Sequence, residues 1–247
     1  MTADVTPRFS IVVPMKNEAE NIDLMIAEIE EACAGFDFEA IFIDDGSTDA
    51  TRARLEQAMA RLPWLRGLSH ASSGGQSAAV HSGVLAARAP VICTMDGDGQ
   101  NPPAEIPRLV APLIAADCPA GLALVAGQRV KRQDTLSKRL ASKAANAIRQ
   151  SLLNDHTRDT GCGLKAFRRD AFLELPFFNH MHRYLPALFT AHGWSVAHVD
   201  VSHRHRHAGT SNYNNLQRGL VGIYDLIGVV WLIKRRKRVR PQELGKA

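Results

Sequence analysis

The chain is poor in the residues that build disulfide or zinc frameworks: it has four cysteines in 247 residues. Cys33, Cys93, Cys118 and Cys162 lie far apart and form no CxxC pair, so a metal-ribbon or disulfide scaffold is not expected and a reducing compartment is. Aromatic residues are also scarce, at 6%. The start, Met1-Thr2-Ala3-Asp4, lacks the basic flank and apolar core of a signal peptide. No long hydrophobic run is present. The longest, Leu220 to Ile233, is interrupted by Asp225 and is too short to span a bilayer comfortably. GxGxxG, a Walker A loop, Gln-x-x-Arg-Trp, internal repeats and low-complexity linkers are all missing.

What is present fits one ordered α/β domain. Apolar residues make up 45% and charged residues 22%, a globular balance rather than a disordered one. The formal net charge is +5, but Lys234, Arg235, Arg236, Lys237, Arg238 and Arg240 supply six positive charges, and subtracting these leaves −1. The basic character therefore belongs to the C-terminus, where it suits anionic lipid, nucleic acid or plain solvation. The run has no interleaved aromatics and no nucleic-acid motif accompanies it, which disfavours a nucleic-acid partner.

Short apolar runs alternate with helical patterns along the first half. Phe9–Val13, Ala40–Ile43, Leu65–Leu68, Val91–Met95 and Leu122–Ala126 read as strands. Ile22, Met25, Ile26, Ile29 and Cys33 recur at helical spacing, and Asn17 with Glu20 has the form of a capping box. Thr48–Ala60, Gln76–Ala87 and the stretch from Pro102 to Ala116 read as helices. In the second half Thr135–Leu153 and Leu216–Ile233 read as helices, Gly161–Phe167 as a turn and an apolar stretch, and Ser195–Val201 as a strand. The alternation predicts a mostly parallel sheet with helices on both faces. Ligands in such sheets bind at the carboxyl ends of the strands, which is where Asp44, Asp45, Asp96 and Asp98 fall.

Asp96-Gly97-Asp98-Gly99 places two carboxylates around a glycine at a strand end. Mg²⁺ or Mn²⁺ would find hard oxygen ligands there, with a diphosphate completing the shell; a plain turn has the same composition. Asp44-Asp45-Gly46-Ser47-Thr48-Asp49 suits a ribose or base edge, or a helix cap. Ser72-Ser73-Gly74-Gly75-Gln76 precedes a helix and suits a phosphate, or is a loop. His203 to His207 is a run of five basic or imidazole side chains; arginines in such a run can grip anionic oxygens bidentately, and a solvated strand edge is the simpler reading.

Taken in order, Ile11-Val12-Val13-Pro14-Met15-Lys16-Asn17-Glu18, Asp44 to Asp49, Asp96 to Pro102, Gly127-Gln128-Arg129, Asp159 to Phe167, His182-Arg183-Tyr184-Leu185-Pro186 and Arg204 to Tyr213 resemble the family 2 glycosyltransferases of the GT-A fold, in their polyprenyl-phosphate branch. The resemblance runs from about residue 9 to residue 233. It implies an inverting, metal-dependent transferase taking a UDP- or GDP-sugar. By it, Pro14, Asn17, Glu18, Asp44, Asp45, Gln76, Asp96 and Gln100 bind the nucleotide sugar, and Asp96 and Asp98 hold Mg²⁺ or Mn²⁺. Arg129, Arg204, Arg206 and Ser211 face the acceptor phosphate. Asp96, Asp98, Asp159, Arg129 and Arg206 form the catalytic set, with Asp159 near the acceptor.

Two features depart from the pattern. Asn212 stands where the family often has lysine in a Gly-x-Ser-Lys-Tyr segment, and the transmembrane helices that many relatives carry after the catalytic region are not expected here. Residues 1–215 are accordingly expected to form the catalytic domain. Residues 216–247 are expected to form an amphipathic interfacial helix and a basic tail, holding the protein peripherally on the cytoplasmic face of the membrane. A core-packed helix with a solvated tail is the alternative. A soluble transferase acting on a polar glycan remains the rival function. The sugar and the oligomeric state stay open.

Overall fold

The structure, a computed structural model, describes residues 6–130, 149–153, 155, 157–204 and 215–239. Its seven-stranded sheet comprises β1 (Phe9–Met15), β2 (Phe38–Asp44), β3 (Leu65–Ser69), β4 (Val91–Thr94), β5 (Leu122–Arg129), β6 (Lys165–Arg168) and β7 (Ser195–Val201). The strand order is β3-β2-β1-β4-β6-β5-β7. All neighbours run parallel except β6, which is antiparallel to both β4 and β5.

Strand alternation sorts the core into two layers, because successive side chains leave opposite faces of a strand. Phe9, Ile11, Val13 and Met15 of β1 join Ala40 and Phe42 of β2 in one layer, while Val12, Ile41 and Ile43 join the other. In β5 a bulge between Leu122 and Leu124 lets Ala123 and Leu124 both enter the second layer, as one extra residue shifts the phase.

The first layer is closed by α1 (Ile22–Ala32), α2 (Thr51–Met59) and α4 (Ile106–Ile114). The second is closed by α3 (Gln76–Ala86), α5 (Arg169–Leu173), α6 (Leu185–Ala191) and the inward face of α7 (Asn215–Arg235). The helices therefore cover both faces, as the alternation predicts.

Some local expectations are corrected. Asn17 does not cap a helix. Its backbone is left-handed, with φ 56°, and its side chain accepts the Thr48 amide instead. Glu18, not Glu20, partners the next turn by accepting from Asn21 Nδ2 at 2.6 Å. The second helix starts at Thr51 rather than Thr48, because Asp49 bonds the Thr51 amide and hydroxyl and so holds the preceding residues in a turn. Lys165–Arg168 is a strand where the sequence suggests only an apolar stretch. Of the helix expected over Thr135–Leu153, residues 149–153 are described as helical and the rest lie outside the described residues.

Candidate active site

Parallel pairing of Met15 with Asp44, and of Val12 with Thr94, brings the carboxyl ends of β1, β2 and β4 to one edge. Pro14, Asn17, Glu18, Asp44, Asp45, Asp96 and Asp98 therefore gather there. The antiparallel pairing of Thr94 with Lys165 has a further consequence. Two residues beyond Thr94 and two before Lys165, Asp96 comes to face Gly163. The Thr94 hydroxyl donates to the Gly163 carbonyl at 2.8 Å and fixes this approach.

Asp96 is the hub. Its carboxylate accepts from Gln76 Nε2 at 2.6 Å and Asn101 Nδ2 at 3.1 Å. Burial, then the neighbouring Asp98 carboxylate, push its pKa up, against the pull of Lys165, Asn101 and Arg129. Two carboxylates at one strand end are hard oxygen ligands of the kind that fit a divalent cation. Among the described residues no three His, Cys, Asp or Glu side chains cluster to hold a metal by themselves. Asp96 and Asp98 would thus supply two ligands and leave the others to substrate phosphate and water. Gly97 lets the pair sit tight against β1, since a Cβ there would lie 2.8 Å from the Pro14 carbonyl oxygen.

Arg129 ends β5 and clasps Asp159 with both arms, Nε to Oδ2 at 2.6 Å and Nη2 to Oδ1 at 2.8 Å. Burial works against the Arg129 charge, but the Asp159 bonds and the nearby Cys162 and Asp96 hold its pKa above the usual value. A fixed cation thus lies close enough to Asp96 to act on its charge.

The acidic loop after β2 serves largely to hold itself and its neighbours. Asp44 accepts from the Ser47 amide at 2.9 Å and the Ser69 hydroxyl at 3.2 Å. Asp45 is buried and accepts from His70 Nδ1, the Ser73 hydroxyl and the Gly74 and Gly75 amides, all within 2.7–2.8 Å. Burial alone would raise its carboxyl; those bonds keep it below the ordinary range. Asn17 takes the Thr48 amide at 2.8 Å and gives its own amide to Ser47 Oγ at 2.9 Å. Gln100 donates its amide to Asp98 Oδ1 at 3.1 Å.

Arg204 lies apart from Asp96. It forks onto Glu28 of α1 at 2.7 and 2.5 Å and donates Nε to the Gly99 carbonyl at 2.6 Å, so it pins the 99–100 turn to α1. Arg206 and Ser211 lie outside the described residues.

Lys165 and His182 are brought to the same place without having been assigned a role from sequence. They line a cavity with Pro14, Gln76, Asp96 and Gly163. Lys165 is buried and donates to the carbonyls of Cys162 and Thr160. Burial lowers its pKa, against the attraction of Cys162, Asp96 and Asp159. His182 bonds Ser77 through Nδ1 at 2.8 Å. Both residues sit in stretches that carried the resemblance, but no periodicity or spacing singles them out, because β6 and the turn at Met181–Arg183 meet only in the folded chain.

Comparison with known proteins gives the family and the fold. The family described as "Glycosyl transferase family 2" matches residues 10–175. Among curated proteins the chain is 32% identical over 93% of its length to a dodecaprenyl-phosphate galacturonate synthase of Rhizobium johnstonii, spanning 68% of that protein. It is 33% identical over 88% of its length to an undecaprenyl-phosphate 4-deoxy-4-formamido-L-arabinose transferase of Pectobacterium carotovorum, spanning 66% of it. Among solved structures, glucosyl-3-phosphoglycerate synthase of Mycobacterium tuberculosis, in complex with Mn²⁺, UDP and glucosyl-3-phosphoglycerate, shares the fold. Its TM-score is 0.66 at 21% identity, over 92% of this chain and 79% of the other. With the matched region taking in the acidic edge of the sheet and Arg129, Asp159 and Lys165, the chain belongs to glycosyl transferase family 2.

Proposed function

We propose that this chain moves a sugar from a nucleotide-sugar donor to a polyprenyl phosphate, with inversion, at the inner face of the cytoplasmic membrane. Asp96, which faces Gly163 with Asp98 two residues on, and the Arg129–Asp159 clasp carry the reading. The kinship with two polyprenyl-phosphate sugar transferases supports the acceptor class. The nucleotide is UDP or GDP in this reading.

An acceptor phosphate is already an anion, so a phosphate oxygen attacks the anomeric carbon without a strong base. The bond from that carbon to the nucleoside diphosphate breaks, and its electron pair leaves with the diphosphate. One such displacement inverts the anomeric centre. Asp96 and Asp98 would hold Mg²⁺ or Mn²⁺, which would neutralise charge on the departing diphosphate. The protein's own part is positioning and fixed charge. Gln76 and Asn101 orient the Asp96 carboxylate. Asp159 holds the Arg129 guanidinium in one direction, towards an anion entering beside Asp96. Asn17, Asp44 and Asp45 order the loops that frame the nucleoside end of the cleft, and Gln100 fixes Asp98. Arg206 and Ser211 complete the phosphate grip in this reading.

The membrane part rests on α7 and the residues after it. Its inward residues Leu226, Val229, Val230 and Ile233 pack on the core. Yet Val221, Ile223, Tyr224, Ile227 and Trp231 are exposed, and Lys234, Arg235, Lys237 and Arg238 follow, also exposed. Among the described residues no helix is long and apolar enough to cross a membrane. An apolar outer stripe with a cationic end suits the interface plane of an anionic bilayer.

The test incubates the protein with Mg²⁺ or Mn²⁺, undecaprenyl phosphate and a panel of labelled UDP- and GDP-sugars, followed by solvent extraction. Label in the lipid phase with one donor is expected. Transfer to a polar acceptor with no lipid label would move the function to a soluble transferase of the same fold. In the same assay Asp98→Ala is expected to abolish turnover and leave the fold intact; near-normal activity would refute the metal assignment.

A further inference from the structure

The cavity beside Asp96 has a donor group whose direction the fold dictates. His182 stands on the short 3-10 turn Met181–Arg183 and reaches Ser77, the second residue of α3. Two contacts join them: Ser77 Oγ lies 2.8 Å from the imidazole Nδ1, and the His182 backbone amide donates to the same Oγ at 3.3 Å. Ser77 is 1% exposed, so its hydroxyl proton needs an acceptor inside the protein. Among the described residues Nδ1 is the acceptor in reach. Nδ1 therefore accepts, and the ring proton of the neutral imidazole sits on Nε2. Neutrality follows from the surroundings: burial first, then the charges of Lys165, Arg183 and His180, hold the His182 pKa well below the ordinary histidine value.

Nε2 is the far end of a ring that lines the cavity shared with Gln76, Asp96, Gly163 and Lys165. No protein acceptor among the described residues bonds Nε2. Gln76 has spent an amide proton on Asp96, and Lys165 has turned to the carbonyls of residues 160 and 162. His182 thus offers the cavity a geometrically fixed donor that no described acceptor engages, next to the carboxylate that would hold the donor's diphosphate through its metal.

We propose that His182 Nε2–H donates a hydrogen bond to an oxygen substituent of the transferred sugar, which makes His182 a substrate-contacting specificity residue. This rests on the nucleotide-sugar reading above. It goes beyond that reading in assigning the sugar, not the nucleotide, to the Ser77–His182 corner. His182 is half-buried, and a donor fixed in the cavity discriminates against analogues that lack the oxygen it is aimed to bond.

Two variants separate this role from a merely structural one. In His182→Asn the amide oxygen takes the place of Nδ1 and keeps the Ser77 bond, but nothing stands at Nε2. In His182→Gln the amide nitrogen takes the place of Nε2, and the Ser77 bond is lost. Calorimetry in Mn²⁺ compares UDP and GDP alone with the panel of UDP- and GDP-sugars, and melting temperature is read alongside. H182N is expected to weaken the nucleotide sugar by about tenfold, the worth of one good hydrogen bond, and to leave the bare nucleotide unchanged. H182Q is expected to retain most of the affinity. Unchanged sugar-nucleotide binding in H182N overturns the proposal. So does a parallel loss for nucleotide and nucleotide sugar, and so does a loss confined to H182Q, which would make the residue a strut for α3. If H182N does not fold, Ser77→Ala, which frees the tautomer, decides: weaker nucleotide-sugar binding with bare nucleotide intact is expected, and no change overturns the proposal. Wild-type protein that binds no member of the panel overturns the transferase reading itself, an outcome distinct from all of these.

Discussion

Gly163 lies under Asp96 so closely that a Cβ there would sit 2.2 Å from a carboxylate oxygen. The backbone fixes where that methyl sits, so Asp96 has to move. Gly163→Ala is expected to cost about 10²-fold in turnover, the usual penalty for misplacing a reacting group by an ångström, with the circular dichroism spectrum unchanged. Asp45 illustrates a different residue-scale point. The resemblance places it on the nucleotide, yet its two oxygens take four hydrogen bonds from His70, Ser73, Gly74 and Gly75. Asp45→Asn turns one acceptor into a donor facing donors and leaves buried groups unpaired. A loss of about 1–3 kcal/mol in urea unfolding is expected, with faster amide exchange at Gly74 and Gly75.

At the scale of elements, β6 decides the shape of the site. It enters between β4 and β5 against the direction of both, and this turns the chain so that Asp159, Gly163 and Lys165 converge on Asp96. Helix α7 is apolar on two faces, one packed and one exposed. His180, left-handed at φ 69°, ties the helix to the His182 turn through Nδ1 to Asp225 Oδ2 at 2.8 Å. Deleting residues 234–247 removes the cationic end and leaves this packing in place. Binding to anionic vesicles in a sedimentation assay is expected to fall, and to fall more at low salt than at high, where screening already weakens it; unchanged binding would sink the electrostatic anchor.

For the whole molecule, the buried titrating groups set the pH range of stability. Burial lowers the pKa of His81 and, with neighbouring cations, of His182. Unfolded histidine titrates near 6.5, so below that pH the unfolded chain binds protons that the folded chain refuses. Stability is therefore full above about pH 6.5 and falls as the pH drops towards the folded values. The hydrogen-bonded carboxylates Glu39, Asp45, Asp49 and Glu105, all held below their ordinary range, add a second loss below about pH 4.5. Asp96, raised, works in the opposite sense in its own window. Urea unfolding from pH 8 to pH 5 is expected to show the first decline, and H182N is expected to flatten it.

The sequence by itself determined the layered α/β architecture, because alternation along a strand and the 3.6-residue repeat of a helix are local properties of the chain. It also determined that acidic residues stand at strand ends, since turn chemistry is written in short stretches such as Asp96-Gly97-Asp98-Gly99. Only the tertiary structure decided what those residues do for one another. The antiparallel entry of β6 left no mark in the four residues Lys165–Arg168, whose pattern is the same for either direction. The meeting of Gln76 with Asp96, of Arg129 with Asp159 and of Ser77 with His182 across 105 residues depends on the order of strands in the sheet. That order is set by which non-local pairings bury the most apolar surface, a property of the packed whole that no window of sequence contains.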